Sequence, residues 1–178
     1  MNERPHDLSA LFRTGERITL LRAALNVPAC TVQQITSKTG LSKGLVSPYL
    51  ALLEREGLLK KTDRTYRLTF SPLTVAVKRL LNIDLVSAVF KKPAWASGIG
   101  MYGSWAGGMN TEESDIDLYI ETTNRQSAKA LIVRYESCIS RKISPIIVLP
   151  DEARQLRTRD RPLFERIQSG KILVGEQL

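Results

Sequence analysis

Apolar positions follow two different rhythms along this chain. In the first third they recur at helical spacing. Ile18, Leu20, Leu21, Ala24 and Leu25 make one face between Glu16 and Asn26, and Pro28 closes it. Thr31 is placed to cap a second helix, Thr31–Thr39, whose inward face is Val32 and Ile35. Gly40 supplies a sharp turn. Ser42 then caps a third helix that runs to about Glu56, with Leu45, Val46, Leu50 and Leu53 as its stripe and Gly57 as its stop. A short helix, a tight glycine turn and a longer helix predict a helix-turn-helix. The rhythm then changes to period two. Leu58-Leu59-Lys60-Lys61, the polar turn Thr62-Asp63-Arg64-Thr65 and the alternating Tyr66–Phe70 together predict a β-hairpin.

Ser71–Phe90 returns to a helical pattern and reads as a connecting helix suited to dimerisation, punctuated by Lys91-Lys92-Pro93. Beyond it Ile99–Tyr102 and Leu118–Ile120 read as strands and Gln126–Cys138 as a helix. Lys142–Pro150 reads as a strand, Asp151–Gly170 as a basic amphipathic helix and Lys171–Gly175 as a final strand. In the tail helix Leu156, Leu163, Phe164 and Ile167 face inward. Arg154, Arg157, Arg159, Arg161 and Arg166 face outward, as a solvated surface or, alternatively, as a site for nucleic acid or an acidic partner. The chain is thus expected to be α+β with two domains, residues 1–71 and 93–178, joined by a linker helix over 72–92. One residue conflicts with this pattern. Pro48 falls inside the third helix, where it removes a backbone donor, so the helix is expected to kink there or to restart with Ser47 as cap.

Charge separates the two halves. Met1–Phe90 holds 13 Lys and Arg against 7 Asp and Glu, whereas Lys91–Leu178 holds 13 against 11. A basic half beside a near-neutral one points the first half towards phosphate. Cys30 and Cys138 lack metal-ligand spacing and are expected to be buried free thiols. With His6 the single histidine, a zinc site is disfavoured. No apolar run approaches the ~18 residues of a membrane span, and the first residues have no signal pattern. A cytoplasmic location is therefore expected.

The stretch Gly40-Leu41-Ser42-Lys43-Gly44-Leu45-Val46-Ser47, followed by Leu53-Glu54-Arg55-Glu56-Gly57-Leu58-Leu59, resembles the winged helix of many prokaryotic regulators. The resemblance implies double-stranded DNA as a partner. Ser42, Lys43, Ser47 and Tyr49 would meet the major groove, and Lys60, Lys61, Arg64 and Arg67 would lie on the wing. It also implies a homodimer reading two half-sites.

Candidate chemistry lies in the second half. Gly103-Ser104 is followed, ten residues later, by Asp115-Ile116-Asp117. On a strand both aspartates share one face about 7 Å apart. Two hard carboxylates there suit Mg²⁺, which takes one or two of them plus phosphates and water. A Gly-Ser turn offers backbone donors and a hydroxyl to phosphate.

This order, with Gly107-Gly108 in the loop, is similar to the minimal nucleotidyltransferases of the DNA polymerase beta superfamily, a small mixed-sheet fold. The resemblance implies that Asp115 and Asp117 are the catalytic, Mg²⁺-binding pair and that Gly103 and Ser104 hold a nucleoside triphosphate, ATP foremost. Active members carry a third aspartate on the neighbouring strand, and Ser144 aligns with it here. A serine hydroxyl is neutral and a far weaker base. Asp151, roughly 20 Å along the strand, and Glu121, about 13 Å beyond Asp117, are too distant to replace it.

The sequence therefore favours a DNA-binding regulator, antitoxin-like in character, whose second domain binds Mg²⁺-nucleotide or a partner protein. The alternative is an active enzyme transferring AMP to a HEPN-type toxin or a small-molecule hydroxyl. A third option is a scaffold that only sequesters a partner.

Overall fold

The computed structural model describes residues 6–89 and 93–175. The first residues, the expected break at Lys91-Lys92 and residues 176–178 lie outside the described residues. The fold is α+β with two sheets, and the chain divides into two compact units, residues 1–78 and 79–178.

The first unit runs α1 (Leu8–Phe12), α2 (Gly15–Leu25), β1 (Ala29–Cys30), α3 (Val32–Thr39), α4 (Lys43–Arg55), β2 (Leu59–Thr62) and β3 (Thr65–Leu68). Thr31 starts α3 with a capping box. Its hydroxyl accepts the Gln34 N–H at 3.2 Å, and the Gln34 side-chain oxygen accepts the Thr31 N–H at 2.8 Å. Gly40 ends α3 at φ +71°, a left-handed conformation that glycine adopts without steric strain. Ser42 occupies the cap position of α4, but its side chain makes no capping bond. Leu20, Leu21, Leu25, Ile35, Leu50, Leu53 and Leu58 are all essentially inaccessible and form the core of this unit.

Four features differ from the sequence expectation. Helix α4 runs through Pro48 without the restart at Ser47 that is one of the two expectations. The carbonyl that loses its helical donor belongs to Gly44, which is exposed, so water can satisfy it. Helix α1 and strand β1 are additional, and β1 pairs with β3 to make a three-stranded sheet in the order β1-β3-β2. Cys30 is buried as expected, and burial pushes its thiol up to about 11. Cys138 is exposed, which corrects the expectation of two buried thiols.

Helix α5 (Pro72–Val89) runs across the division between the units. The second unit continues with β4 (Ala96–Tyr102), α6 (Gly103–Gly107), β5 (Ile116–Thr122) and α7 (Arg125–Ile139). It ends with β6 (Ile143–Val148), α8 (Pro150–Arg159), α9 (Arg161–Gln168) and β7 (Lys171–Gly175). Its sheet has the order β6-β5-β4-β7, with β5 parallel to β6 and β4 antiparallel to both β5 and β7. The expected single tail helix is two helices. Pro162 has no N–H to continue a helix from α8, and Asp160 instead caps α9 by accepting the Leu163 N–H at 3.0 Å.

Alternation along the strands gives the sheet two apolar faces. Ile99, Met101, Ile116, Leu118, Ile120 and Ile143 pack with Trp105, Ala128 and Ile132 in the main core. On the other face Tyr102, Tyr119 and Val148 pack with Ala153 and Leu156, flanked by Leu163, Phe164 and Ile167.

The segment between β4 and β5 is held by buried polar bonds. The Asn82 amide donates to the Trp105 carbonyl and to the Asn110 side-chain oxygen, each at 2.8 Å. The Trp105 indole donates to the Ser114 carbonyl at 3.1 Å. Removing a buried donor strands its acceptors, at about 1–3 kcal/mol. Asn82→Ala is therefore expected to lower the stability of the second unit by that amount, read from urea denaturation followed by tryptophan fluorescence. A change below about 0.5 kcal/mol, on the order of an ordinary surface substitution, would contradict this role for Asn82.

Candidate functional site

In the first unit, α3, α4 and the β2–β3 hairpin enclose an open groove of about 560 Å³. Lys43 and Ser47 contribute from α4, where they lie one turn apart, and Lys61 and Arg64 contribute from the hairpin. These four expected DNA-contacting residues share one concave surface. Ser42 is exposed at the start of α4. Lys60 and Arg67 are cross-strand partners and, by strand alternation, stand on the opposite hairpin face from Lys61 and Tyr66.

Tyr49 is a correction. It is only 3% exposed, its hydroxyl donates to the Leu11 carbonyl at 2.8 Å, and burial raises its phenol well above the usual range. The side chain is part of the core and cannot reach a ligand in the groove. The sequence also missed Gln33 and Thr36, which line the groove from α3. The Thr36 hydroxyl is buried and has no hydrogen-bond partner among the described residues. Helical spacing puts Thr36 one turn from Val32, which also lines the groove, and Gln33 off the Val32–Ile35 face, but nothing local indicates that this side of α3 lines a groove.

In the second unit the chemistry gathers where three strands meet. Strand pairing sets Tyr102 opposite Asp117, and Asp117 beside Ser144. Residues paired in adjacent strands point to the same face, so the three form one row. Asp115 stands just before β5, outside the strand, although the sequence pattern put both aspartates on it. Gly103 begins α6 at φ +67°, and a Cβ there would collide with the Asp117 carboxylate. Only glycine lets the backbone and the acid approach so closely. The Gly-Ser turn and Asp117 are therefore adjacent, with Ser104 in the first turn of α6.

Each aspartate has a basic neighbour that the sequence pattern did not single out. The Lys142 ammonium is 3.1 Å from the Asp115 carboxylate. The Arg166 guanidinium lies 5.5 Å from the centre of the Tyr102 ring. Burial raises the Asp117 carboxyl above its ordinary range, Arg166 opposes that rise, and negative Asp115 adds to it. The Tyr102 phenol is also raised, by burial and then by Asp117, against the pull of Arg166. Among five similar tail arginines, no local pattern distinguishes Arg166. The carboxylates considered as replacements for a third acid are engaged elsewhere. Asp151 pairs with Arg154, and Glu121 accepts from the Tyr119 hydroxyl at 3.5 Å near the far end of β5.

The donor set bears on metal. Among the described residues no group of three or more His, Cys, Asp or Glu side chains converges. Two carboxylates suit Mg²⁺ when phosphate oxygens and water complete its shell, so the residues fit a metal that arrives with a nucleotide.

No protein-family model matches this chain, and none of the curated proteins does. Among solved structures it is similar to a toxin–antitoxin crystal structure with AMP-PNP, at 21% identity over 53% of this chain and 71% of that one, with a TM-score of 0.36. It is also similar to a mutant of the toxin–antitoxin MntA–HpeT, at 17% identity over 56% of this chain and 74% of that one, with a TM-score of 0.37. At such identities and scores the likeness implies nothing about what this chain binds.

The raised Asp117 carboxyl has a consequence for stability. A carboxyl whose folded-state pKa exceeds its unfolded value makes the native state the better proton binder, so it destabilises the fold as pH rises through that interval. Asp117→Asn is expected to raise the melting temperature at pH 7 without divalent ions. The gain should disappear below the ordinary aspartate range, where folded and unfolded carboxyls are both protonated. A gain independent of pH would rule out ionisation of Asp117 as its cause.

Proposed function

We propose that this chain is a DNA-binding transcriptional regulator. In this reading residues 1–78 form a winged helix-turn-helix, and residues 79–178 form a nucleotidyltransferase-type unit that binds Mg²⁺ and a nucleotide, ATP foremost, without efficient transfer chemistry. The observation that carries the reading is the convergence of Lys43, Ser47, Lys61 and Arg64 on one groove. Helix α4 is the recognition helix and the β2–β3 hairpin the wing. Lys43 and Ser47 lie one turn apart on the continuous α4, which includes Pro48. A homodimer reading two half-sites is the assembly that fits such a module.

For the second unit, Asp115 and Asp117 would hold Mg²⁺, and Gly103 and Ser104 the phosphates. The metal would neutralise charge on the phosphate when bound. The hydroxyl of Ser144, in register with Asp117, leaves no third carboxylate to act as general base, a loss of about 10²–10⁴-fold in rate. The unit thus reads as a nucleotide sensor or partner-binding element more readily than as a transferase. Transfer of AMP to a partner protein is the alternative.

Two measurements test these assignments. Binding to a labelled duplex should weaken steeply with salt, and Lys61→Gln/Arg64→Gln should reduce the log–log slope by about 1–2, near one unit for each phosphate that the hairpin no longer neutralises. An unchanged slope would remove the hairpin from the DNA interface. Calorimetric titration of Mg²⁺-ATP should give binding to wild type and none to Asp115→Ala/Asp117→Ala. Equal binding by both proteins would place the nucleotide elsewhere, and transfer of labelled AMP onto any acceptor by wild type alone would support the transferase alternative.

A further inference from the structure

The acid-pair motif does not include Lys142. This residue lies just before β6, and its backbone carbonyl accepts the Ile116 N–H at 2.9 Å. The strand pairing that aligns Asp117 with Ser144 therefore also delivers Lys142 to Asp115, at 3.1 Å between ammonium and carboxylate. The Lys142 side chain is 74% exposed and that of Asp115 is 39% exposed. A solvated pair of this kind is weak, because water screens the attraction and two side chains must be held in one geometry. It orients Asp115 yet breaks easily. Once released, an ammonium on a flexible four-carbon stem has three donors for phosphate oxygens. Arg166 lies over Tyr102, which pairs with Asp117 across the strands.

We propose that Lys142 is an exchangeable cation of the nucleotide site: it holds Asp115 until a divalent ion arrives, yields the carboxylate to the metal, and turns its ammonium to the nucleotide's phosphates. The inference rests on the Mg²⁺-nucleotide reading of the acid pair. Its consequence is selectivity. A bare divalent ion must displace Lys142 without compensation, whereas a metal-nucleotide complex gives the displaced ammonium a new anionic partner. The site therefore discriminates against metal alone.

The test uses the full chain and two ligands, Mn²⁺ alone and Mg²⁺-ATP, titrated calorimetrically into wild type, Lys142→Gln and Lys142→Arg. Lys142→Gln is expected to tighten Mn²⁺ binding and weaken Mg²⁺-ATP binding, each by roughly two- to five-fold, the range of an exposed ion pair. Lys142→Arg should keep both affinities near wild type. Opposite shifts cannot come from partial misfolding, which would weaken both ligands together. If Lys142→Gln leaves both affinities unchanged or moves them in the same direction, while wild type binds Mg²⁺-ATP, the proposal is overturned and the nucleotide reading stands. If wild type binds neither ligand, the nucleotide reading itself fails and this proposal falls with it.

Discussion

The second unit depends on the register of its three adjacent strands. Ile116, Leu118 and Ile120 alternate into the main core, and their burial fixes which way β5 faces. A slip of one residue would drive Asp117 into that core and Leu118 out of it. Such a slip would bury a charge without a partner, at a cost of about several kcal/mol. The same register that buries the isoleucines places Tyr102, Asp117 and Ser144 in one row and brings Lys142 to Asp115. The site is thus a by-product of core packing on the opposite face, and its chemistry cannot drift independently of the fold.

Around that row the two aspartates sit in different surroundings. Asp115 is at the rim, open to water and paired with lysine. Asp117 is more enclosed, pressed against Gly103, and its carboxyl is raised by burial. A partly desolvated acid thus lies beside a more solvated, lysine-paired one. The closeness of Gly103 explains why glycine must precede the serine, since any side chain would displace the acid. In the first unit a different arrangement holds. There the basic groups are set around a groove whose walls include a buried hydroxyl, Thr36, without a partner among the described residues. Asp63 lines the same groove, so its wall carries one acid among the basic groups.

Much of the element order was legible from local signals. The Thr31 capping box, the left-handed Gly40 and the stop at Gly57 are short-range chemistry, and the helices around them follow the expected bounds closely. Tail and edge features were less legible. Pro162 and Asp160 carried a break signal in plain view, yet the arginine-rich amphipathic pattern on both sides masked it. The two-residue β1 owes its existence to pairing with β3, so no local pattern could announce it.

By itself the amino-acid sequence determined the helix caps and turns, the two hydrophobic rhythms, the basic first half, and the presence of Gly103-Ser104, Asp115 and Asp117 at their spacing. These follow from interactions within a few residues, where backbone sterics and side-chain periodicity dominate. Helical spacing already put Tyr49 on the stripe of Val46, Leu50 and Leu53, whereas tertiary structure alone decided that Lys61 and Arg64 share a groove with Lys43 while Lys60 and Arg67 do not, and that Lys142 and Arg166 attend the acid pair. Those outcomes depend on strand register and on which helix packs on which face. Both are set by burial summed over distant parts of the chain, to which a local pattern of polar residues is blind.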